Sequence, residues 1–224
     1  MERFWGTGQE NAGEMTFAEF MQLVATRPDG VVLLEGRRAI PERDVALAEG
    51  LGRMLALAFP RLRFRSGNAC GSDEAFSTGV ASVDSSRLQV VLPYAGHRRG
   101  SRISGAAYAS LDSQPVLRER ELAARTFAAS PKYRTLIEHR DRGRQMAARA
   151  AYLIRDTMKA VGWSAEFPEP ICACFYVDVD DPFAGGTGHT IRACQREGVP
   201  VVFQDAWRQW SVERSATHHP SRER

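Results

Sequence analysis

The sequence predicts an α/β fold: a mainly parallel sheet flanked by helices on both faces. Short apolar runs alternate along the chain with longer stretches whose apolar residues recur at helical spacing. That alternation is the signature of strand–helix–strand units. Glycine and small polar residues cluster just after several of the apolar runs, where such a sheet gathers its ligand-binding loops.

Each element has its own reason. Thr16-Phe17-Ala18-Glu19 reads as a capping box, in which the Thr16 hydroxyl accepts from a backbone N–H and Glu19 reaches back. The helix it opens runs to about Ala25, with Phe17, Phe20, Met21 and Val24 on one face. Asp29-Gly30 ends that unit. Val31 to Leu34 is a buried strand stopped by Gly36, and residues 42–59 form a helix stopped by Pro60. Leu62 to Arg65 is a second strand. A helical pattern resumes from Glu74 to Val80, and Leu88 to Leu92 is a third strand ended by Pro93. Residues 96–114, rich in Gly, Ser and Arg, read as a long loop. Two helices follow, near 115–128 and 131–161. A fourth strand spans Ile171 to Val177, a helix runs from about Gly188 to Glu197, and a fifth strand spans Val199 to Phe203.

Composition narrows the class. With 224 residues the chain holds one large domain or two small ones, and neither a repeat nor an internal linker divides it. The expected division is an N-terminal helical extension (1–29), a sheet domain (30–210) and a loose polar tail (211–224) carrying His218 and His219. Residues 1–14 also read as loose. No apolar run approaches the roughly 18 residues of a bilayer span, and the N-terminus lacks a signal pattern, so a cytoplasmic protein without a membrane partner is expected. A net charge of +3 is too small to argue for nucleic acid on its own. The four cysteines, Cys70, Cys172, Cys174 and Cys194, have no zinc spacing and read as buried small thiols, so no metal is expected. Trp207 and Trp210, three apart, read as packing.

Three strand ends carry candidate chemistry. The first is Glu35-Gly36-Arg37-Arg38, where glycine permits a tight exit and paired guanidinium groups suit a phosphate. The second is Ser66-Gly67-Asn68-Ala69-Cys70-Gly71-Ser72-Asp73, which leads into a helix N-terminus. Its polar candidates are Ser66, Gly67, Asn68, Gly71, Ser72 and Asp73, the last as a helix cap or a ribose contact. The third and strongest is Gly185-Gly186-Thr187-Gly188-His189-Thr190, three glycines within four residues ahead of a helix. They build a nest of backbone N–H groups for an anion. This is neither a Walker A loop, since no lysine follows, nor a GxGxxG fingerprint. His97, Arg98, Arg99 and Arg102 form a basic cluster after Pro93-Tyr94. The arginines from Arg140 to Arg155 alternate with Glu138 and Asp141 and read as a solvated face.

Together, the Val31–Arg38 strand and turn, the 66–73 turn, Val90-Val91-Leu92-Pro93 and the 185–190 loop resemble the SLOG superfamily. This Rossmann-like group includes the DprA/Smf proteins, the LOG phosphoribohydrolases and the YpsA-like proteins. The resemblance spans residues 30 to 204 and implies a Rossmann-like domain holding a nucleotide or nucleotide derivative, a homodimer being left open. Pro93 joins the ligand-binding set on that basis, and Arg149 matches the family's arginine as a phosphate binder. Against the LOG pattern PGGxGTxxE, the glutamate falls on Arg192, the proline on Ala184 and the threonine on His189. A carboxylate that should stabilise a developing cation has become a cation. The expectation is therefore a nucleotide-binding or sensing protein with no assigned catalytic residue. The alternatives are a nucleotide N-glycosidase, with Glu35, Asp73 or Glu74 as substitute carboxylate, and a DprA-like single-stranded DNA-binding module.

Overall fold

The computed structural model describes residues 13–217. They form a six-stranded, all-parallel sheet, so the fold is α/β with helices on both faces, as the sequence predicts. In chain order the elements are α1 (Phe17–Thr26), β1 (Val31–Gly36), α2 (Glu42–Ala58), β2 (Arg63–Ser66), α3 (Ser72–Asp84), β3 (Leu88–Leu92) and β4 (Ala107–Ser110). Then come α4 (Val116–Ala129), α5 (Arg134–Glu138), α6 (Arg144–Val161), β5 (Cys172–Tyr176), α7 (Gly185–Glu197), β6 (Val201–Phe203), α8 (Gln204–Trp207) and α9 (Trp210–Thr217). The sheet order is β4-β3-β2-β1-β5-β6. After β4 the chain returns to the other side of β1, so the switch point lies between β1 and β5. In such sheets a crevice opens outside the carboxyl ends of the strands at this point.

Side-chain alternation divides the core. Val32 and Leu34 of β1 and Cys172, Cys174 and Tyr176 of β5 face one side. There they meet Phe17 and Phe20 of α1, Leu51 and Leu55 of α2 and Phe76 of α3. Leu33, Ala173 and Phe175 face the other side, against Ala160 of α6 and Ile191 and Cys194 of α7. A separate cluster joins Val91 of β3 to Leu122 of α4 and to Leu153, Ile154 and Met158 of α6.

Between these two clusters on the second face runs a seam of buried polar side chains. Arg65 of β2 is fully buried there. Its guanidinium donates to Gln89 of β3 at 2.8 and 3.2 Å, to the Lys159 carbonyl at 2.9 Å and to the Pro168 carbonyl at 2.8 Å. It also lies 5.5 Å from the Trp163 ring centroid. Burial lowers its pKa to about 9, yet the cation satisfies the Lys159 carbonyl, one that the end of α6 leaves unpaired.

The structure adjusts several boundaries. The 96–114 segment is not all loop: it contains β4, a parallel edge strand beside β3. Its four residues, Ala-Tyr-Ala-Ser, are short and lack the β-branched run that marks the other strands. The predicted 131–161 helix is interrupted, because Gly143 is extended (φ 169°, ψ 154°) between a turn of 3-10 helix and α6. Gly13 pairs with the edge of β6, its N–H donating to Val201 and its carbonyl accepting from Phe203. The residues read as an N-terminal extension share the sheet's core through Phe17, Phe20 and Val24. Helix α9 continues to Thr217, past the start of the expected tail. The earlier N-terminal residues and the His218-His219 pair lie outside the described residues. Cys172, Cys174 and Cys194 are buried, whereas Cys70 is exposed. Among the described residues no helix is long and apolar enough to cross a membrane.

Trp207 and Trp210 are both buried core residues. Trp210 stacks on Phe20 at 4.7 Å, lies 6.1 Å from Phe17, and donates its indole N–H to the Met15 carbonyl at 2.8 Å. Trp210→Ala removes this junction of the two chain ends and is expected to cost about 3–5 kcal/mol, measured as the shift in denaturant unfolding.

Candidate functional site

The ends of β1 and β2, the start of α3, the C-terminal half of α6 and the second turn of α7 converge at the carboxyl edge of the sheet. Their buried groups form an ionic centre. Lys159 Nζ lies 2.7 Å from Glu35 Oε2 and 3.0 Å from Asp156 Oδ1, and Arg155 Nε lies 3.1 Å from the same Asp156 oxygen. Thr190 donates its hydroxyl to Glu35 Oε1 at 2.9 Å, which ties α7 to β1. Asp73 accepts from the Gly36 N–H at 3.2 Å and from the Gly67 N–H at 3.1 Å, which ties β1 to β2. Gly67 leaves no room for a side chain: a Cβ there would stand 2.2 Å from Arg155 Nη1 and 2.9 Å from Lys159 Nζ.

Burial and charge compete in this centre. Burial, reinforced by Asp156 and Asp73, raises the Glu35 pKa to about 7 against the pull of Lys159. Burial also pushes Asp156 up, but Lys159 and Arg155 outweigh it and hold that carboxyl below its ordinary value. For Lys159, burial and Arg155 favour the neutral amine, and Asp156 and Glu35 overcome them, so its pKa is raised.

The next layer joins buried Arg155 and His97 to half-buried Arg98 and Tyr152 and to exposed Tyr94. Arg155 reaches the Gly67 carbonyl at 2.5 Å and the Val91 carbonyl at 3.3 Å. Arg98 donates to the Asn68 carbonyl at 3.0 Å and pairs with Glu74 at 3.1 Å. His97 sits between two tyrosines, with ring centroids 5.4 Å from Tyr94 and 5.6 Å from Tyr152. Its pKa is lowered, first by burial and then by Arg155, Arg98 and Arg38. Three guanidinium groups thus impose a positive field on one imidazole. Asn68 and Arg98 both adopt left-handed backbone (φ 55° and 40°), and the Asn68 amide nitrogen is buried without a partner among the described residues. Strained backbone and an unsatisfied donor at one place are features that cluster at ligand sites.

No protein-family model matches the chain, and no curated protein matches it. A solved structure similar to it is that of DNA processing protein A from Helicobacter pylori, studied for its single-stranded DNA binding mode. The two chains are 13% identical, with 86% of this chain and 69% of that chain covered and a TM-score of 0.43.

The residues singled out from the sequence fall into different roles. Gly36, Gly67 and Asp73 meet at the ionic centre, and both Asp73 oxygens are taken by backbone N–H groups. Ser66 bonds the Asp73 carbonyl and Ser72 the Arg37 carbonyl, which fixes the turn. Gly71 packs against the Arg38 backbone, and Pro93 is buried beyond the end of β3. The glycine loop is itself helical: α7 begins at Gly185, with Ala184 extended before it and the Gly188 N–H donating to the Ala184 carbonyl at 2.9 Å. Gly185 and Gly186 are exposed and Thr187 half-buried, so the first turn presents its N–H groups outward. Gly188 packs on the Phe183 backbone too closely for a Cβ.

Three residues stand elsewhere than the sequence reading places them. His189 is fully buried and turned inward, its two ring nitrogens on the Ser130 and Thr157 hydroxyls at 2.8 and 2.9 Å. Arg149 is exposed on α6, and the helix carries Arg155 instead into the site. Arg192, aligned with the family's glutamate, donates to Ser130 and to the Phe183 carbonyl, bracing the segment before α7. Arg155, Asp156 and Lys159 were hidden in the sequence within an apparently solvated helix face. Their signal was a run of charges at positions where the apolar stripe of α6 demands burial.

Two outcomes follow. The His189 pKa is depressed to about 4 from 6.5, chiefly by burial. Between those values the unfolded chain binds the extra proton, so this contribution is complete above pH 6.5 and is lost as pH falls toward 4. Relative to His189→Gln, the native chain should gain ~3 kcal/mol of stability across that window and stay level above it, as read by denaturant titrations at several pH values. Lys159→Met leaves Glu35 and Asp156 buried without their shared cation. It is expected to destabilise the fold by about 3–5 kcal/mol, measured by urea unfolding at neutral pH.

Proposed function

We propose that this carboxyl edge binds the phosphate of a nucleotide or nucleotide derivative, and that the protein acts by holding the ligand as a carrier or sensor. The observation that carries the reading is the left-handed Asn68, whose side-chain amide nitrogen is buried without a partner among the described residues and whose carbonyl accepts from Arg98 at 3.0 Å. Guanidinium groups match phosphate oxygens with their planar fork. The exposed N–H groups at the start of α7 and the free amide of Asn68 add neutral donors. Tyr94, 43% exposed, and half-buried Tyr152 supply ring faces for a base or sugar beside the charged groups.

Holding is favoured over hydrolysis because the carboxylates near this cluster are already engaged. Glu35 is 4% exposed behind Thr190 and Lys159, Asp73 caps two strand ends, and Glu74 pairs with Arg98. The proposal keeps the phosphate-cradling half of the SLOG resemblance and omits its hydrolytic half. It places the chain in the cytoplasm, where nucleotide pools lie and free thiols stay reduced.

The test is thermal shift and calorimetry against nucleoside mono- and diphosphates, cyclic nucleotides and ADP-ribose, with a short single-stranded oligonucleotide alongside. At least one mononucleotide should raise the melting temperature. Arg38→Ala, at an exposed position, should weaken its binding about tenfold, the worth of one charge-assisted hydrogen bond. If no nucleotide raises the melting temperature, the reading fails. If the oligonucleotide alone binds, with steep salt dependence, a nucleic-acid interface replaces it.

A further inference from the structure

The two arginines that leave β1 diverge. Arg38 contributes to the field around His97, whereas Arg37 pairs with Asp178 at 2.8 Å and lines a separate cleft of ≈ 590 Å³. This cleft lies between the start of α2, the exit of β5 and α8. Its volume is in the range of small-molecule sites.

Its polar side is built around one fixed guanidinium. Arg208 lies 5.9 Å from the ring centroids of both Tyr176 and Trp207 and pairs with Asp44 Oδ1 at 2.9 Å. The other Asp44 oxygen accepts from the Tyr176 hydroxyl at 2.5 Å, so both carboxylate oxygens are engaged. Arg208 Nε is buried without a hydrogen-bond partner among the described residues. Arg43 also lines the cleft and is exposed, with no ion-pair partner among the described residues. Helix α2 opens at Pro41 with no side-chain cap, so the N–H groups of its first turn add to the positive end. Glu42, in that same turn, does not line the cleft. The facing wall is apolar: Ile40, Val177 and Val179, the last 72% exposed.

We propose that this cleft is a second binding site, for a small organic anion with a carboxylate or phosphomonoester head and an apolar body. The head meets Arg43, Arg208 and the start of α2, while the body lies on Ile40 and Val179. Arg208 is matched by Asp44, so Arg43, without an ion-pair partner among the described residues, leaves net positive charge next to apolar surface. A metal cation or an extended cationic peptide would meet the wrong field there.

Benzoate and phenyl phosphate are the probes, titrated calorimetrically into the native chain and into Arg43→Ala, Val179→Asp and Arg38→Ala. At least one probe should bind saturably, about tenfold more weakly to Arg43→Ala and to Val179→Asp, and unchanged to Arg38→Ala. Tighter binding of phenyl phosphate assigns a phosphomonoester head, and tighter binding of benzoate a carboxylate. Both substituted positions at the cleft are exposed, so the fold should survive, and unchanged far-ultraviolet circular dichroism checks that. Absence of saturable binding by both probes overturns the proposal. So does binding that Arg43→Ala leaves intact, or that Arg38→Ala abolishes. The nucleotide reading stands or falls separately, on Arg38.

Discussion

The buried cation of Lys159 is the constraint on which the rest of the carboxyl edge depends. It joins Glu35 on β1 to Asp156 on its own helix, so α6 lies against the sheet in one register. Desolvation cancels much of the attraction within such a set, so its main effect is on arrangement rather than on net stability. From that arrangement follow the approach of Arg155 to Gly67, the bond from Thr190 to Glu35, and hence the seat of α7. Asp73 closes the set by holding the exits of β1 and β2 together. The polar seam also explains why the apolar core on this face is two clusters rather than one.

A division of labour results. Residues that read as ligand contacts because they are polar and near a strand end are largely occupied in building the edge: Ser66, Ser72, Asp73, Thr190 and His189. What remains accessible above them is cationic and aromatic: Arg38, Arg98, Tyr94 and Tyr152, with the start of α7 beside them. Arg192 belongs to the builders. Its guanidinium donates to the Ser130 hydroxyl and the Phe183 carbonyl, and its Nη2 is buried without a partner among the described residues.

The sheet was legible because its strands obey simple rules. Val31–Leu34, Leu88–Leu92 and the run around Cys172–Tyr176 are compact, apolar and buried on both faces. The capping box at Thr16 and Glu19 forms as read, its hydroxyl accepting the Glu19 N–H at 3.2 Å. What escaped was whatever periodicity cannot encode. β4 is four small residues whose pairing comes from β3, not from their own propensity. Lys159 and Arg155 look like surface charges because a buried ion set and a solvated face have the same composition. His189 looked like a ligand contact because helical rotation, set by where α7 begins, decides which way it faces. One residue's difference in a helix start turns a side chain by about 100°.

Arg65 also limits how this architecture can deform. It grips the carbonyl of Lys159 and that of Pro168 from the middle of the sheet, while Arg155 and Lys159 grip strand ends from the same helix. The last two turns of α6 are therefore fastened to the sheet at Arg155 and Lys159 and cannot slide along the strands without stranding a buried cation. The carboxyl edge around Arg155 is thus held in one shape by its own ion pairs and hydrogen bonds.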